Sequence, residues 1–167
     1  MAASFFMGIA RPYVTPFLAE HVKLDEFQVG VFGSVSYAGV TVMGVALGRL
    51  GDKWKRSGAI GLCFLLYIVA VIPLLLVREI VWLMPVAFLF GGSSVAGSIV
   101  SSMVGTSAPP SRRGLWVSVP QTMGLVAAFI APYFGGYLYT LSPAYAFLVS
   151  VSGIPLVAMV AFTKLKD

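Results

Sequence analysis

The sequence predicts an all-α integral membrane protein, a bundle of six transmembrane helices. Of its 167 residues, 59% are hydrophobic and only 10% are charged, so there are too few polar residues to cover the surface of a soluble domain. Six apolar segments follow one another, each close to the ~20 residues that a helix needs to cross the hydrocarbon core. The short connections between them carry most of the charge. The lipid bilayer is therefore the predicted environment of most of the surface.

The basic residues predict how the bundle is oriented. The predicted spans cover, approximately, residues 2–19, 27–49, 58–77, 80–104, 114–139 and 143–163. Lys and Arg accumulate on the cytoplasmic side of membrane proteins. One side of this bundle has Lys23 and Arg78 alone, and the opposite side has Arg49, Lys53, Lys55, Arg56, Arg112, Arg113, Lys164 and Lys166. We therefore expect a multi-pass protein of the plasma membrane with both termini in the cytoplasm.

The sequence argues against several other classes of protein. The net charge of +5 comes from short clusters between apolar runs and forms no basic stripe of the kind that binds nucleic acid. The single cysteine, Cys63, excludes an intrachain disulfide. There is no nucleophile and base at motif spacing, no metal-ligand cluster and no phosphate-binding loop. We expect neither an enzyme nor a bound cofactor or metal.

The two halves of the chain resemble each other. Residues 5–52 align without a gap on residues 89–136, and the alignment matches Phe6 with Phe90, Gly8 with Gly92, Gly30 with Gly114, Ser34 and Val35 with Ser118 and Val119, and Gly51 with Gly135. Three spans per copy would give the copies opposite orientations, an arrangement common in secondary transporters. The alternative is a chance match of glycine-rich segments. We predict one domain over residues 1–167, with one repeat over about 1–79 and the other over about 80–167.

The connection between the second and third spans contains a family motif. Residues 48–56 read Gly-Arg-Leu-Gly-Asp-Lys-Trp-Lys-Arg, which resembles the major facilitator superfamily (MFS) signature Gly-x-Leu-Ala-Asp-Arg-x-Gly-Arg-Arg at the same place. An ordinary cytoplasmic loop would explain the basic residues but not the spacing of Gly48, Leu50 and Asp52. The resemblance implies that Asp52 pairs with Arg56 to hold a cytoplasmic gate, and that Gly48 packs closely between helices. Lys55 departs from the signature, which weakens the expected network.

The fifth predicted span carries two further resemblances. Residues 108–114 resemble the Pro-rich, Arg-Gly entry to the fifth helix of an MFS half, which makes Arg113 a candidate partner of Asp52. Residues 131–139 are similar to the family's Gly-Pro-x-x-Gly-Gly pattern, with alanine in place of the first glycine. Pro132, Gly135 and Gly136 are therefore expected to bend this helix and let it pack closely. The chain resembles one six-helix half, and the C-terminal half is favoured.

A candidate substrate cavity centres on Arg11, in the middle of the first predicted span. An arginine there costs ~2.5 to 3.5 kcal/mol on insertion scales, and no acidic residue is near it in the sequence. Pro12 and Pro16 interrupt the helix, and the freed carbonyls with Tyr13 and Thr15 are expected to surround an anionic substrate or a carboxylate of the second half. The alternative is that Arg11 extends to the membrane interface.

The family resemblance adds three residues to this cavity and implies a function. The first, second, fourth and fifth helices of an MFS half line the cavity, which makes Tyr37, Gln121 and Thr122 candidates. The implied function is secondary active or facilitative transport of a small solute by alternating access, together with a second half that is another copy or a separate chain. The alternatives are a membrane scaffold or accessory subunit that does not transport, and a fragment of a longer permease.

Overall fold

A computed structural model describes residues 2–53 and 56–164, with side chains at all of these except 52–53, 56–57, 110 and 158–164. The described chain is helical and contains no β-strand. Its helices are α1 (Ala2–Ala10), α2 (Val14–Glu20), α3 (Glu26–Lys53), α4 (Arg56–Leu76), α5 (Ile80–Ser93), α6 (Ala96–Ser107), α7 (Arg113–Leu141) and α8 (Pro143–Lys164). Two 3₁₀ turns, Arg11–Tyr13 and Pro110–Arg112, precede α2 and α7.

The predicted all-α membrane fold is confirmed. Among the described residues, four helical segments are long and apolar enough to cross a membrane: Glu26–Gly51, Gly58–Leu76, Ile80–Ser107 and Arg113–Leu141. The described apolar part of α8, Pro143–Val157, is shorter. The first predicted span is helical but is divided between α1 and α2.

Local chemistry explains where several helices begin. The backbone N–H of Gln28 donates to Oδ1 of Asp25 at 2.7 Å, and the backbone N–H of Asp25 donates to Oε1 of Gln28 at 3.2 Å. This reciprocal capping box satisfies free donors at the start of α3. Helix α8 begins at Pro143, whose missing N–H costs nothing in a first helical turn.

Two of the spans are broken near their middle. In the first, the 3₁₀ turn Arg11–Tyr13 contains Pro12, which lacks the N–H needed to continue an α-helix. In the fourth, the N–H groups of Ser94 and Val95 bond to carbonyls three residues earlier, at 3.0 and 3.2 Å, and α6 begins at Ala96. The fourth span thus covers Ile80–Ser107 and is interrupted near its middle, at a point that no proline or charge marks in the sequence.

Close helix packing organises the bundle around two pairs. Helix α3 packs on α5, and a Cβ at Gly39 would collide with the carbonyl oxygen of Phe88. Helix α1 packs on α7, where a Cβ at Gly135 would collide with the carbonyl oxygen of Ile9. Helices α4 and α8 cover these pairs and supply much of the core, including Tyr67 and Phe147.

Candidate functional site

The Arg11 side chain projects from the break in the first span to the break in the fourth. Its Nη2 donates a hydrogen bond of 2.7 Å to Oγ of Ser94. No other hydrogen bond and no carboxylate at ion-pair distance is described for this guanidinium. A guanidinium has five N–H donors, so most of them remain available to a further acceptor.

Arg11 lines a small cavity between α2, α3 and α5. The cavity has a volume of about 200 Å³. The polar side chains on its wall are Arg11, Thr15, Ser36 and Tyr37. The apolar part of the wall consists of Val14, Leu18, Val29, Phe32, Val40 and Phe90. The structure thus brings together three predicted cavity residues, Arg11, Thr15 and Tyr37, and adds Ser36.

Tyr13 lies away from this cavity, against α7. Its hydroxyl donates to the carbonyl oxygen of Pro132 at 2.7 Å, and its ring stacks on that of Tyr139 with centroids 5.1 Å apart. A separate cavity of about 340 Å³ is lined by Tyr13, Pro132, Tyr133 and Gly136. Tyr13 therefore links the first and fifth spans instead of facing the same space as Arg11.

The two candidates on the fifth span also lie elsewhere. Gln121 and Thr122 are exposed on α7 and do not line the Arg11 cavity. Nε2 of Gln121 donates to Oγ of Ser101 in α6 at 3.5 Å, the outer limit of a hydrogen bond. These two residues face a part of the surface that this bundle leaves uncovered.

The predicted bending and packing residues occupy distinct places. Pro12 is exposed within the 3₁₀ turn, and Pro16 lies inside α2. The carbonyl of Pro132, inside α7, accepts the Tyr13 hydroxyl. At Gly135 and Gly136 an added Cβ would lie 2.7 Å from the Tyr13 ring and hydroxyl, respectively. The last two glycines therefore allow α1 and the following turn to approach α7.

The predicted gate residues are only partly described. The side chains of Asp52 and Arg56 lie outside the described residues, so their pairing remains a prediction. Nε of Arg113 donates to the carbonyl oxygen of Ala108 at 3.5 Å. Gly48 lines a groove of about 180 Å³ between α3 and α6, and a Cβ there would meet no described atom within 4 Å. The close packing expected at Gly48 is thus not seen among the described residues.

Sequence reasoning missed the part played by Ser94. Ser94 lies in the fourth span, and small polar residues in membrane helices more often pack helices together than bind a ligand. Its sequence separation from Arg11 is 83 residues, one less than the repeat offset, which aligns residue 11 with residue 95. In the predicted repeat alignment Ser94 is thus next to the residue that matches Arg11, but the alignment alone does not place the two side chains in contact.

Comparison with known proteins identifies one family. The family model described as Major Facilitator Superfamily matches residues 1–167. Neither the curated proteins nor the solved structures include a match to the chain.

Proposed function

Because the chain belongs to the major facilitator superfamily, whose members are membrane transporters and not enzymes, we propose that it transports a small organic anion by alternating access. The single observation that carries the choice of an anion is the guanidinium of Arg11, which lines the small cavity and has no carboxylate partner among the described residues. A cation held inside a membrane span is costly unless it is paired or serves the transported substrate. No described carboxylate pairs with Arg11.

The neighbours of Arg11 suit a small anion. Thr15 and Tyr37 lie on the same cavity wall, where their hydroxyls provide donors beside the guanidinium. Phe90 and other apolar side chains cover the remaining wall and suit a carbon skeleton. A volume of about 200 Å³ favours a small solute, and a second half facing the cavity would enlarge it.

We propose that the working transporter contains a second six-helix half, either another copy or a separate chain. In the second and fifth spans only 11% of an 18-residue apolar stretch is buried, against 56% in the fourth. These exposed stretches carry polar side chains, among them Tyr37, Thr41, Gln121 and Thr122. Polar side chains in a membrane favour contact with protein or a water-filled cavity over contact with lipid.

We also propose that the domain consists of two inverted three-span repeats. In such a repeat the first span is equivalent to the fourth, and the second span is equivalent to the fifth. The close pair of α1 with α7 would then become the close pair of α5 with α3, and both pairs are present. The Arg11 to Ser94 and Tyr67 to Ser150 hydrogen bonds both join residues 83 positions apart, close to the repeat offset.

The gate and the cellular location complete the proposal. Asp52, Arg56 and Arg113 would form a cytoplasmic network that opens and closes during transport, as the family motif implies. The protein would lie in the plasma membrane, and the distribution of basic residues supports an orientation with both termini in the cytoplasm.

The test is uptake into lipid vesicles that contain the purified chain. Lactate, citrate and glycerol phosphate would be offered separately, with Arg11→Gln as the variant and Arg78→Gln, which removes a basic residue between spans, as the matched control. We expect saturable uptake of at least one anion, lost in Arg11→Gln and kept in Arg78→Gln. Uptake that is unaffected by Arg11→Gln would exclude the proposed site. If no uptake occurs, even with a co-expressed second half, the scaffold alternative is favoured.

A further inference from the structure

The two broken spans are joined at their breaks. Arg11 is the first residue of the 3₁₀ turn between α1 and α2, and Ser94 lies between α5 and α6. The 2.7 Å hydrogen bond from Nη2 of Arg11 to Oγ of Ser94 therefore connects the two points at which the spans lack regular α-helical bonding.

The Ser94 hydroxyl has no other described partner. The carbonyl of Phe90, which would accept the N–H of residue 94 in a continuous α-helix, instead accepts the hydroxyl of Ser93 at 2.6 Å. The N–H of Ser94 bonds to the carbonyl of Gly91 at 3.0 Å. The local backbone thus does not use Oγ of Ser94, and Arg11 does.

Ser94 accepts one N–H of the guanidinium that we assign to the substrate, and this bond fixes the direction in which the other donors point. A hydroxyl is a neutral acceptor, whereas an anion forms charge-assisted hydrogen bonds with a guanidinium that are roughly twice as strong. An anion in the cavity would therefore compete successfully for the Arg11 donors. Only molecules in which Ser94 has released Arg11 can turn the whole guanidinium towards the anion, so the bond to Ser94 weakens the apparent affinity.

We propose that Ser94 is a positioning residue whose hydroxyl holds Arg11 until an anion binds and displaces it. Loss of the hydrogen bond to Arg11 then lets the backbone between α5 and α6 move. This inference rests on the proposed function, because it assigns the Arg11 cavity to an anion. Substrate binding is then coupled to a movement of the backbone at the break in the fourth span. A ligand can shift a conformation only through such a difference in its contacts between the two states.

Phosphate binding provides the first test. Inorganic phosphate would be titrated by calorimetry into the chain in lipid nanodiscs. Ser94→Ala should bind phosphate up to about tenfold more tightly than the unsubstituted chain, because the competing hydroxyl is gone. Ser94→Thr, which keeps a hydroxyl, should bind like the unsubstituted chain. The control Ser98→Ala removes an exposed hydroxyl of α6 and should leave the affinity unchanged.

Amide hydrogen exchange provides the second test, which also reports on the ligand-free protein. Exchange at residues 94–99 should be faster in Ser94→Ala than in the unsubstituted chain and unaffected in Ser98→Ala. Phosphate should accelerate exchange in the unsubstituted chain and have little further effect in Ser94→Ala. Unaltered exchange in Ser94→Ala would overturn the coupling of the two breaks.

The outcomes separate this inference from the proposed function. Arg11-dependent uptake with unchanged or weaker phosphate binding in Ser94→Ala would overturn the displacement and leave transport standing. Tighter binding in Ser94→Ala without any vesicle uptake would support the displacement and count against transport. Absence of phosphate binding in both forms would overturn the displacement.

Discussion

At the scale of single residues, a buried chain of hydroxyl groups joins three helices. Oγ of Ser150 in α8 donates to the carbonyl oxygen of Phe6 in α1 at 2.6 Å. Because the serine proton is used there, the Tyr67 hydroxyl of α4 must be the donor in its 2.6 Å contact with Ser150. Both side chains are at most 1% exposed, so water cannot replace a lost partner.

Ser150→Ala should destabilise the protein by about 1–2 kcal/mol, because it leaves the buried Tyr67 hydroxyl without its acceptor. Tyr67→Phe should cost less, since Ser150 still donates to Phe6. Thermal unfolding in detergent measures both effects. The matched control is Ser152→Ala in the same helix, whose exposed hydroxyl bonds only to the nearby Val149 carbonyl and should matter little. An equal loss in the control would contradict this assignment.

At the scale of helices, glycines set the distance between α3 and α5. A Cβ at Gly39 would collide with the backbone of Phe88, and a Cβ at Gly91 would collide with the carbonyl oxygen of Ser36. Each helix thus presents a glycine to the backbone of the other. Gly30 is on the same helix as Gly39, but a Cβ there would meet nothing within 4 Å.

Gly39→Ala should destabilise the bundle by about 1–3 kcal/mol, because neither backbone can move away without disturbing the crossing. Gly30→Ala should stabilise it by up to about 1 kcal/mol, since alanine favours the helix more than glycine does. Unfolding of the purified variants in detergent gives both values. If the two substitutions had the same sign and size, the close crossing would be contradicted.

The helices also show what the sequence did and did not predict. All six apolar segments are helical, and Pro12 marked the break in the first span. The break at Ser94 was missed because serines and glycines at that point are equally compatible with a continuous packed helix. Tyr67 lies in the third span, which carried no candidate site residue, yet it is 1% exposed. Uniform apolarity does not reveal which side of a membrane helix faces its neighbours.

At the scale of the whole molecule, the second and fifth spans remain largely uncovered. Their exposed side chains include Tyr37 and Gln121, which were predicted to face a cavity. Family resemblance predicted that α3 and α7 would line a space shared with a second half. The separate locations of Tyr13 and Gln121 could not be predicted. Knowing which span a residue belongs to does not tell how that helix is rotated about its own axis, and so which way the side chain faces.

The chain alone is expected to form a dimer in mild detergent if its second half is another copy. Light scattering corrected for bound detergent would then give a protein mass twice the 17.7 kDa of the chain. Replacing the exposed Gln121 by Trp should weaken such a dimer, because a bulky side chain would enter the contact. The same substitution at Val81, exposed at the start of α5, is the control. A monomer in all three cases would exclude the homodimer and favour a separate second half.

The glycine crossing between α3 and α5 also limits how the protein can move. A slip of one residue along either helix would bring a side chain into a gap that accommodates only hydrogen at Gly39 and Gly91. The two helices therefore cannot slide past each other, and they must move together as one rigid unit. If the pair rocks against the rest of the bundle, the bending has to occur where a helix is already interrupted, and the interruption nearest to this crossing is at Ser94, just after the end of α5.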